Sequence, residues 1–532
     1  MKKAKMILAM FLAVVMIAAS STGNWYAYAD DPESADYMDK TISFAFLASI
    51  DSMCPLASAA AGGAYICDAI YERLVFVKDD YTLEPRAAES WDYNEDATVY
   101  TFHLSDDIFW SDGTPVTAKD WVFTAQMATN PDVASPRKSV FSIFEGTDNV
   151  GNETGSGTVS WAAVDDYTLK MTLKETTDPT TLLININTAA VPMPAHILSD
   201  VSPAELLENE YWLTPVCCGP MIYESMILGQ ELVLATNQEY YRGAPKFGKM
   251  VFKIVAQDAM AAAFMASEID LAPFNLPLAD AKAAAESEVV DACFTENSIA
   301  TCLAGFNMET LPDVRVRQAI RYCIDLNAIS QVMYEGSSQI SAYPTVTVGD
   351  YYDDSFEWAG EYNPEKAKEL LDEAGWDYNR VLIWGAPTGT RATAATIIQQ
   401  SLQSIGMKVE IRTGDAASSL AASRAGEYDV GMSSVTAWTN DPSTMKSHLY
   451  LYAYGLDEEL GLLLDTVAGK LDMEERIEAA EAFYEAYFDL CPMANVYKTK
   501  MHMLKSSRLQ DYDYESAVVG YNVNYQDFII AD

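Results

Sequence analysis

Strand-like and helix-like segments alternate along the 532 residues of this chain, and this alternation constrains the fold more than any single motif. Residues 98–104 and 167–173 alternate apolar and polar side chains with a period of two, which predicts half-buried strands. Residues 365–374 lie between Asn363, a suitable N-cap, and Gly375, a suitable stop, which predicts a helix. The interleaving of the two patterns predicts the α/β class.

The same signals predict further elements on both sides of these segments. Helices are expected over residues 116–126 with Thr117 as the cap, over residues 313–329, and over residues 393–405 before Gly406. Strands are expected over residues 42–46, 381–384 and 407–413. At about 150 residues per domain, the chain should fold into two to four lobes.

The charge balance argues against polyanionic partners. Half of the residues are apolar, which is typical of a globular protein, but 77 acidic residues stand against 34 basic ones and give a net charge of −43. Such a surface repels phosphate backbones and anionic headgroups. We therefore expect neither nucleic-acid binding nor attachment to a membrane surface.

The N-terminus has the pattern of an export signal. Three lysines among the first five residues precede an apolar run at residues 6–19, which is shorter than the roughly 20 residues that span a bilayer. An Ala-x-Ala site follows at residues 27–29, which predicts a signal peptide over residues 1–29 and a mature chain that starts near Asp30. An uncleaved anchor is the alternative. No cysteine follows the run, so a lipoprotein is not expected.

Cysteine and histidine contents give no site. The eight cysteines permit disulfides in an exported protein, but their spacing assigns no pairing, and the adjacent Cys217 and Cys218 cannot easily pair with each other. The four histidines are scattered, so we expect no metal and no cofactor. No Gly-x-Ser-x-Gly elbow is present, and nothing in the sequence indicates an enzyme.

A set of long patterns occurs in a fixed order. Residues 71–126 contain YERL, PRAAESW, DATVYTFHL and FWSDGTPVTAKD, and this stretch resembles the signature of the extracytoplasmic solute-binding proteins that serve peptide and nickel ABC transporters. Five further matching segments follow at residues 218–247, 266–272, 311–329, 362–376 and 397–411. Two departures are Arg86, where the family usually has a small or apolar residue, and Trp110, where it has Phe.

The resemblance implies a two-lobed, periplasmic-binding-protein-like α/β fold with hinged lobes and an extra strand-rich subdomain. Lobe one is expected to comprise residues 30–73, 196–300 and 499–532, the inserted subdomain residues 74–195, and lobe two residues 301–498. Members of the family capture a solute between the lobes and deliver it to a membrane permease of an ABC importer. A monomer that binds a small peptide is the expectation here. A nickel chelate, an oligosaccharide or haem is the alternative ligand, and a secreted hydrolase is a third hypothesis that no motif supports.

One segment resembles the part of the family that holds a peptide's amino group. Residues 433–443, SSVTAWTNDPS, are similar to W-x-x-D-x-x-D-P, whose first aspartate binds the α-amino group in peptide-binding members. The segment is shorter here. Counted forward from Trp438, Asp441 stands at the amine position; counted back from Pro442, it stands at the turn-shaping position. Either Asp441 binds the amine, with Trp438 and Asn440 beside it, or the protein lacks that anchor.

Four further residues are candidates for ligand contact by the same resemblance. Trp384 ends the predicted strand 381–384 at a pocket-wall position, and Tyr497 matches a late crossing strand. Tyr65 follows a Gly-Gly loop that matches a ligand-facing stretch. Arg391 starts a helix and can pair with a ligand carboxylate, with a solvated arginine as the alternative.

Overall fold

The computed structural model describes residues 37–47, 50, 52–57, 61–78, 80–155, 157–187, 189–273, 276–345, 347, 349–436, 440–446, 449, 458–510, 512 and 523–531. The strands in these ranges are β1 (Thr41–Phe46), β2 (Val75–Val77), β3 (Leu83–Pro85), β4 (Ala88–Tyr93), β5 (Val99–Leu104), β6 (Trp161–Asp165), β7 (Thr168–Thr172), β8 (Met221–Ile227), β9 (Glu231–Thr236), β10 (Lys249–Ile254), β11 (Leu271–Ala272), β12 (Val290–Phe306), β13 (Val381–Pro387), β14 (Lys408–Gly414), β15 (Val430–Thr436), β16 (Met493–Ser506), β17 (Leu509–Gln510) and β18 (Ile529–Ile530).

The α-helices in the same ranges are α1 (Ala61–Ile70), α2 (Ala118–Thr129), α3 (Pro179–Ile186), α4 (Ala195–Leu198), α5 (Met260–Met265), α6 (Leu278–Ala284), α7 (Val314–Tyr322), α8 (Leu326–Tyr334), α9 (Pro364–Ala374), α10 (Thr390–Ser404), α11 (Ala416–Arg424), α12 (Glu458–Ala468) and α13 (Met473–Leu490). Over the part of the chain that the structure describes, none of the helices has both the length and the apolar character needed to cross a membrane.

Two long strands join the halves of one sheet. The ten-stranded sheet has the order β14-β13-β15-β12-β16-β11-β1-β10-β9-β8. In its middle, β12 has 17 residues and β16 has 14, and the two strands run antiparallel. An ordinary strand has about five or six residues. Strands of this length therefore reach from one half of the molecule into the other.

Separate apolar cores lie on the two sides of this crossing. One core contains Ile42, Trp121 and Leu232 together with many other residues between positions 42 and 271 and between 509 and 530. The other side has two cores, one around Ile320 and Trp384 and one rich in aromatic residues along α13. Because each half buries its own apolar surface, the molecule is two-lobed, as predicted.

The predicted lobe boundaries fall side by side in the sheet. They cut β12 between residues 300 and 301 and β16 between residues 498 and 499, and Ala300 pairs with Thr499 while Thr301 pairs with Lys498. The pairing shifts register close to this point, between Ser298 and Ala300 and between Cys302 and Leu303. The segment limits themselves stay a prediction.

A smaller sheet belongs to the lobe-one side. Its four antiparallel strands have the order β4-β5-β7-β6. Helix α2 packs beside them and begins with a capping box, in which the Thr117 side chain accepts from the backbone of Asp120 and the carboxylate of Asp120 accepts from the Thr117 N–H. Tyr100 and Trp121 are buried in the same core as Ile42, so this unit is continuous with lobe one.

The local signals placed most elements correctly, with two exceptions. Helix α9 is capped by Asn363 and ends at Gly375, whose φ of 69° is left-handed. The single helix expected over residues 313–329 is wrong, because the chain forms α7 and α8 with a break at Cys323. The Asp325 carboxylate accepts a 2.8 Å bond from the Ala328 N–H and starts the second helix. Strand β13 also continues to Pro387, so Trp384 does not end it.

All eight cysteines lie within the described ranges, and none is bonded to another. Each is buried. Burial raises the pKa of the Cys67 and Cys293 thiols to about 11 and that of Cys54, Cys217, Cys302 and Cys323 to about 12. These thiols act as small apolar side chains of the cores.

Candidate ligand-binding site

A cavity of about 170 Å³ lies between the two lobes. Its lobe-one side comes from residues 80–82 and from the first turn of α3 with the cap before it, and its lobe-two side from three chain segments. The lining residues are Asp80, Tyr81, Thr82, Asp178, Thr180, Thr181, Gly349, Asp350, Tyr351, Asn440, Asp441 and Met473. We call this space the interlobe cavity. Two of the residues predicted from sequence, Asn440 and Asp441, belong to it.

Asp441 is a buried carboxylate at the start of a short turn. It is 2% exposed and is the N-cap of a 3-10 helix, Pro442–Met445, where its Oδ1 accepts a 2.9 Å bond from the Ser443 N–H. Its Oδ2 accepts a 2.6 Å bond from the Thr181 hydroxyl and forms an ion pair with Arg476. The cap is the geometry expected when the motif is counted back from Pro442. These contacts do not test whether Asp441 also binds an amine, which stays a prediction.

Arg476 neutralises this carboxylate. The side chain is 1% exposed; its Nε donates to the Tyr351 hydroxyl at 2.7 Å and its Nη1 to the Lys470 carbonyl at 2.8 Å. Burial alone lowers the pKa of the guanidinium, but the charge of Asp441, with smaller contributions from Tyr351 and Asp178, raises it above its ordinary value. Arg476 is therefore cationic, and the pair carries no net charge.

Sequence reasoning missed Arg476, although a signal is present. The buried residues of α13 recur at helical spacing, at positions 476, 480, 483, 484 and 487. Arg476 thus occupies an inward position in an otherwise apolar and aromatic stripe. A buried arginine needs an acceptor, and this requirement predicts a carboxylate partner without identifying it.

Asn440 lies against a glycine that lines the same cavity. Gly349 has a φ of +82°, and a Cβ built on it would overlap the Nδ2 of Asn440. Only glycine allows this approach without strain, so residue 349 fixes how closely its loop lies against Asn440. Trp438, the third residue predicted in this turn, lies outside the described residues.

A second group of predicted residues meets on lobe two. The Tyr497 hydroxyl donates to Thr390 Oγ1 at 3.2 Å at the start of α10, and Arg391, the next residue, approaches Ser434 Oγ at 3.5 Å. Cys302 pairs with Tyr497 on one side of β12 and with Ser434 on the other. The structure therefore brings Arg391 and Tyr497 together.

The two other predicted aromatic residues are buried in the cores. Trp384 is 1% exposed on β13 in the lobe-two core that also contains Tyr497. Tyr65 is 1% exposed on α1 in the lobe-one core, where its carbonyl accepts a 2.9 Å bond from the Tyr525 hydroxyl. Contact of either ring with a ligand stays a prediction.

The described residues contain no group of three or more histidine, cysteine or acidic side chains placed to hold a metal ion. The interlobe cavity offers carboxylate, amide and hydroxyl groups instead. Such groups can hydrogen-bond a polar organic ligand and neutralise positive charge on it.

Two lobes, a crossing made of strands and a cavity between the lobes define a solute-binding protein of the periplasmic type. Residues 82–455 match the model of the bacterial extracellular solute-binding proteins, family 5. The chain belongs to this family.

Named relatives are similar over most of the chain. The chain is 27% identical over 454 residues to the periplasmic oligopeptide-binding protein OppA of Escherichia coli, with 81% of each protein covered. It is 28% identical over 369 residues to an ABC transporter peptide-binding protein of Brucella ovis, covering 67% of this chain and 65% of the length of that relative. The crystal structure of the ABC transporter substrate-binding protein CtaP of Listeria monocytogenes has the same fold, with a TM-score of 0.78, 23% identity, and coverage of 93% of this chain and all of that one.

Proposed function

We propose that this protein captures a peptide between its two lobes and delivers it to the membrane permease of an ABC importer. The observation that carries the proposal is the interlobe cavity, because polar side chains of both lobes line it in a fold whose lobes are joined by strands. The relatives named for peptide binding support the peptide as ligand. The protein acts by binding, without covalent chemistry, outside the cytoplasm and after removal of a leader near Asp30.

Closure follows from ligand contacts to both lobes. A ligand that touches only one lobe does not change the balance between open and closed forms, whereas contacts to both favour the closed form. The permease can then distinguish the protein that holds a ligand, because that protein is in the closed form. In our proposal Asn440 and Asp441 contribute from the cavity, Arg391 and Tyr497 from the second group on lobe two, and Trp438, Trp384 and Tyr65 are further candidates.

Native mass spectrometry of the purified mature protein tests the ligand class. We expect adducts whose masses and fragmentation spectra identify short peptides, and calorimetry with synthetic copies of those peptides should reproduce binding. Protein unfolded in denaturant and refolded without ligand is the control. Adducts that are nickel chelates, oligosaccharides or haem, with no response to the peptides, would overturn the peptide proposal. Turnover of added peptides or esters would instead favour a hydrolase.

A further inference from the structure

One group of side chains connects the two lobes directly. Thr181 on α3 belongs to the lobe-one side, where its neighbours Leu182 and Leu183 are part of the large core. Its hydroxyl contacts Asp441 and Arg476, which belong to lobe two. We propose that Thr181, Asp441 and Arg476 form a clasp that holds the two lobes together and sets the balance between the open and closed forms.

In the clasp, one hydroxyl group contacts two carboxylates and one guanidinium. The Thr181 hydroxyl lies 2.6 Å from Asp441 Oδ2 and 3.1 Å from Asp178 Oδ2, so its single proton is shared between two carboxylates. Its oxygen accepts from Arg476 Nη2 at 3.4 Å. Asp178 also accepts from the Thr181 N–H at 2.9 Å and so fixes the first turn of α3. A hydroxyl placed between a cation and two anions makes charge-assisted bonds, which are stronger than neutral ones.

The clasp can open without exposing an unpaired buried charge. Asp441 and Arg476 both stand on lobe two and stay paired when the lobes separate, while Thr181 exchanges its partners for water. The contacts of the hydroxyl and the attraction between Asp178 and Arg476 are lost while the ion pair is kept, which suits a reversible contact. If instead the ion pair itself joined the lobes, each opening would separate the two charges, and water would have to solvate both.

A second contact between the lobes is of a different kind. Lys282 of α6 and Glu335 at the end of α8 form an ion pair at 2.5 Å, but both side chains are about half exposed. Solvent and salt screen such a pair. We therefore assign the control of closure to the buried clasp and use Lys282 as a control.

The clasp also gives the Asp441 turn a function that needs no ligand amine. The charge of Asp441 is already balanced by Arg476, and its oxygens accept from Ser443, Thr181 and Arg476. This role goes beyond peptide capture, and its test requires no peptide.

Two spin labels, one on each lobe, report the separation of the lobes in protein refolded without ligand. They are attached through Val164→Cys on lobe one and Leu462→Cys on lobe two, both at exposed positions. The native thiols are buried and do not compete for the label. In the parent protein we expect two distances between the labels, a short one for the closed form and a long one for the open form. Thr181→Val keeps the side-chain shape, removes the hydroxyl and should raise the ratio of long to short by about 10-fold.

Two matched variants separate the clasp from general damage. Thr181→Ser keeps the hydroxyl and should show the same distribution as the parent. Lys282→Ala removes the exposed contact between the lobes and should leave the distribution unchanged. A parent protein with only the long distance, or equal distributions for Thr181→Val and the parent, would overturn the proposal. Because no peptide is used, these results are independent of the test for peptide capture.

Discussion

Lys498 lies on β16 at the predicted lobe boundary and is fully buried. Its Nζ donates to the carbonyl oxygen of Thr345. Burial lowers the pKa of its ammonium to about 7, and the charge of Glu357 offsets only part of this effect. Near neutral pH this side chain therefore changes charge inside the protein, which is unusual for a lysine.

Lys498 should make stability depend on pH. Between about pH 7 and 10.5 the unfolded chain holds a proton at this side chain that the folded protein does not, so stability rises with pH by up to about 1.4 kcal/mol per unit and falls as the pH is lowered to 7. Lys498→Met should remove this slope and increase stability at pH 7. Urea unfolding at pH 7, 8 and 9 measures it, with Lys500→Met on the same strand as the control. Parallel pH profiles for Lys498→Met and the parent would contradict the assignment.

Arg86 departs from the family pattern, and the structure explains how it is accommodated. The side chain is 3% exposed, with Nη1 3.7 Å from Glu72 and 3.9 Å from Asp68, and Nη2 donates to Asn524 Oδ1 at 2.8 Å. Glu72 also accepts a 2.5 Å bond from the Tyr240 hydroxyl. The sequence identifies Arg86 as unusual but cannot name these partners, because Asn524 lies more than 400 positions away.

Removing the Arg86 cation should be costly. Arg86→Leu leaves Asp68 paired with the buried Arg73, 2.6 Å away, and leaves Glu72 without the nearby Arg86 cation. We therefore expect a loss of about 3–5 kcal/mol in the free energy of unfolding. Chemical denaturation measures this loss. The double variant Arg86→Leu with Glu72→Gln should recover part of it, since one of the two anions is then neutral. If the double variant is less stable than the sum of the two single changes predicts, Arg86 contributes through packing and not through charge.

The sequence predicts well those helices and strands that carry a signal in their own residues, such as a cap, a stop or an alternating pattern. Caps and stops lie within a few residues of the helix that they define, as Asn363 and Gly375 do for α9. The long strands β12 and β16 have no such signal. The first six residues of β16 are all buried, so the alternation that reveals a half-buried strand is absent. The residues that pair between these two strands are far apart in the sequence, from Gly305 with Met493 to Val290 with Ser506.

The break between α7 and α8 should depend on one side chain. Asp325 caps α8 through its bond to the Ala328 N–H. Asp325→Ala should therefore lower the free energy of unfolding by about 1 kcal/mol, while Asp325→Asn, which keeps an acceptor, should lower it by less. Thermal or urea unfolding followed by circular dichroism compares the three proteins. Equal losses for both variants would show that the charge of Asp325, and not the cap, stabilises the helix.

At the scale of the whole molecule, the two lobes could be predicted, together with two of the residues that line the interlobe cavity. The family motif identifies Asn440 and Asp441 because both lie in one short segment. Thr181 and Arg476 could not be found in this way. They reach Asp441 from 260 and 35 residues away, and only the folded arrangement of two lobes brings the three together.

Closure on a ligand should be visible in solution. Protein freed of ligand and then saturated with a peptide identified by mass spectrometry should show a smaller radius of gyration in small-angle scattering. A scrambled peptide that calorimetry shows not to bind is the control. An unchanged radius with confirmed binding would mean that the site is rigid and that the crossing strands do not act as hinges.

The eight unpaired cysteines have a consequence for how this protein is made. No disulfide bond between them has to form after synthesis, and no wrong pairing has to be rearranged. Folding therefore needs neither an oxidant nor a disulfide isomerase. The native structure should therefore be reached equally well in a reducing and in an oxidising compartment. Transient exposure of the thiols during oxidative stress is then a hazard to the unfolded chain alone, because the folded protein keeps all eight out of reach.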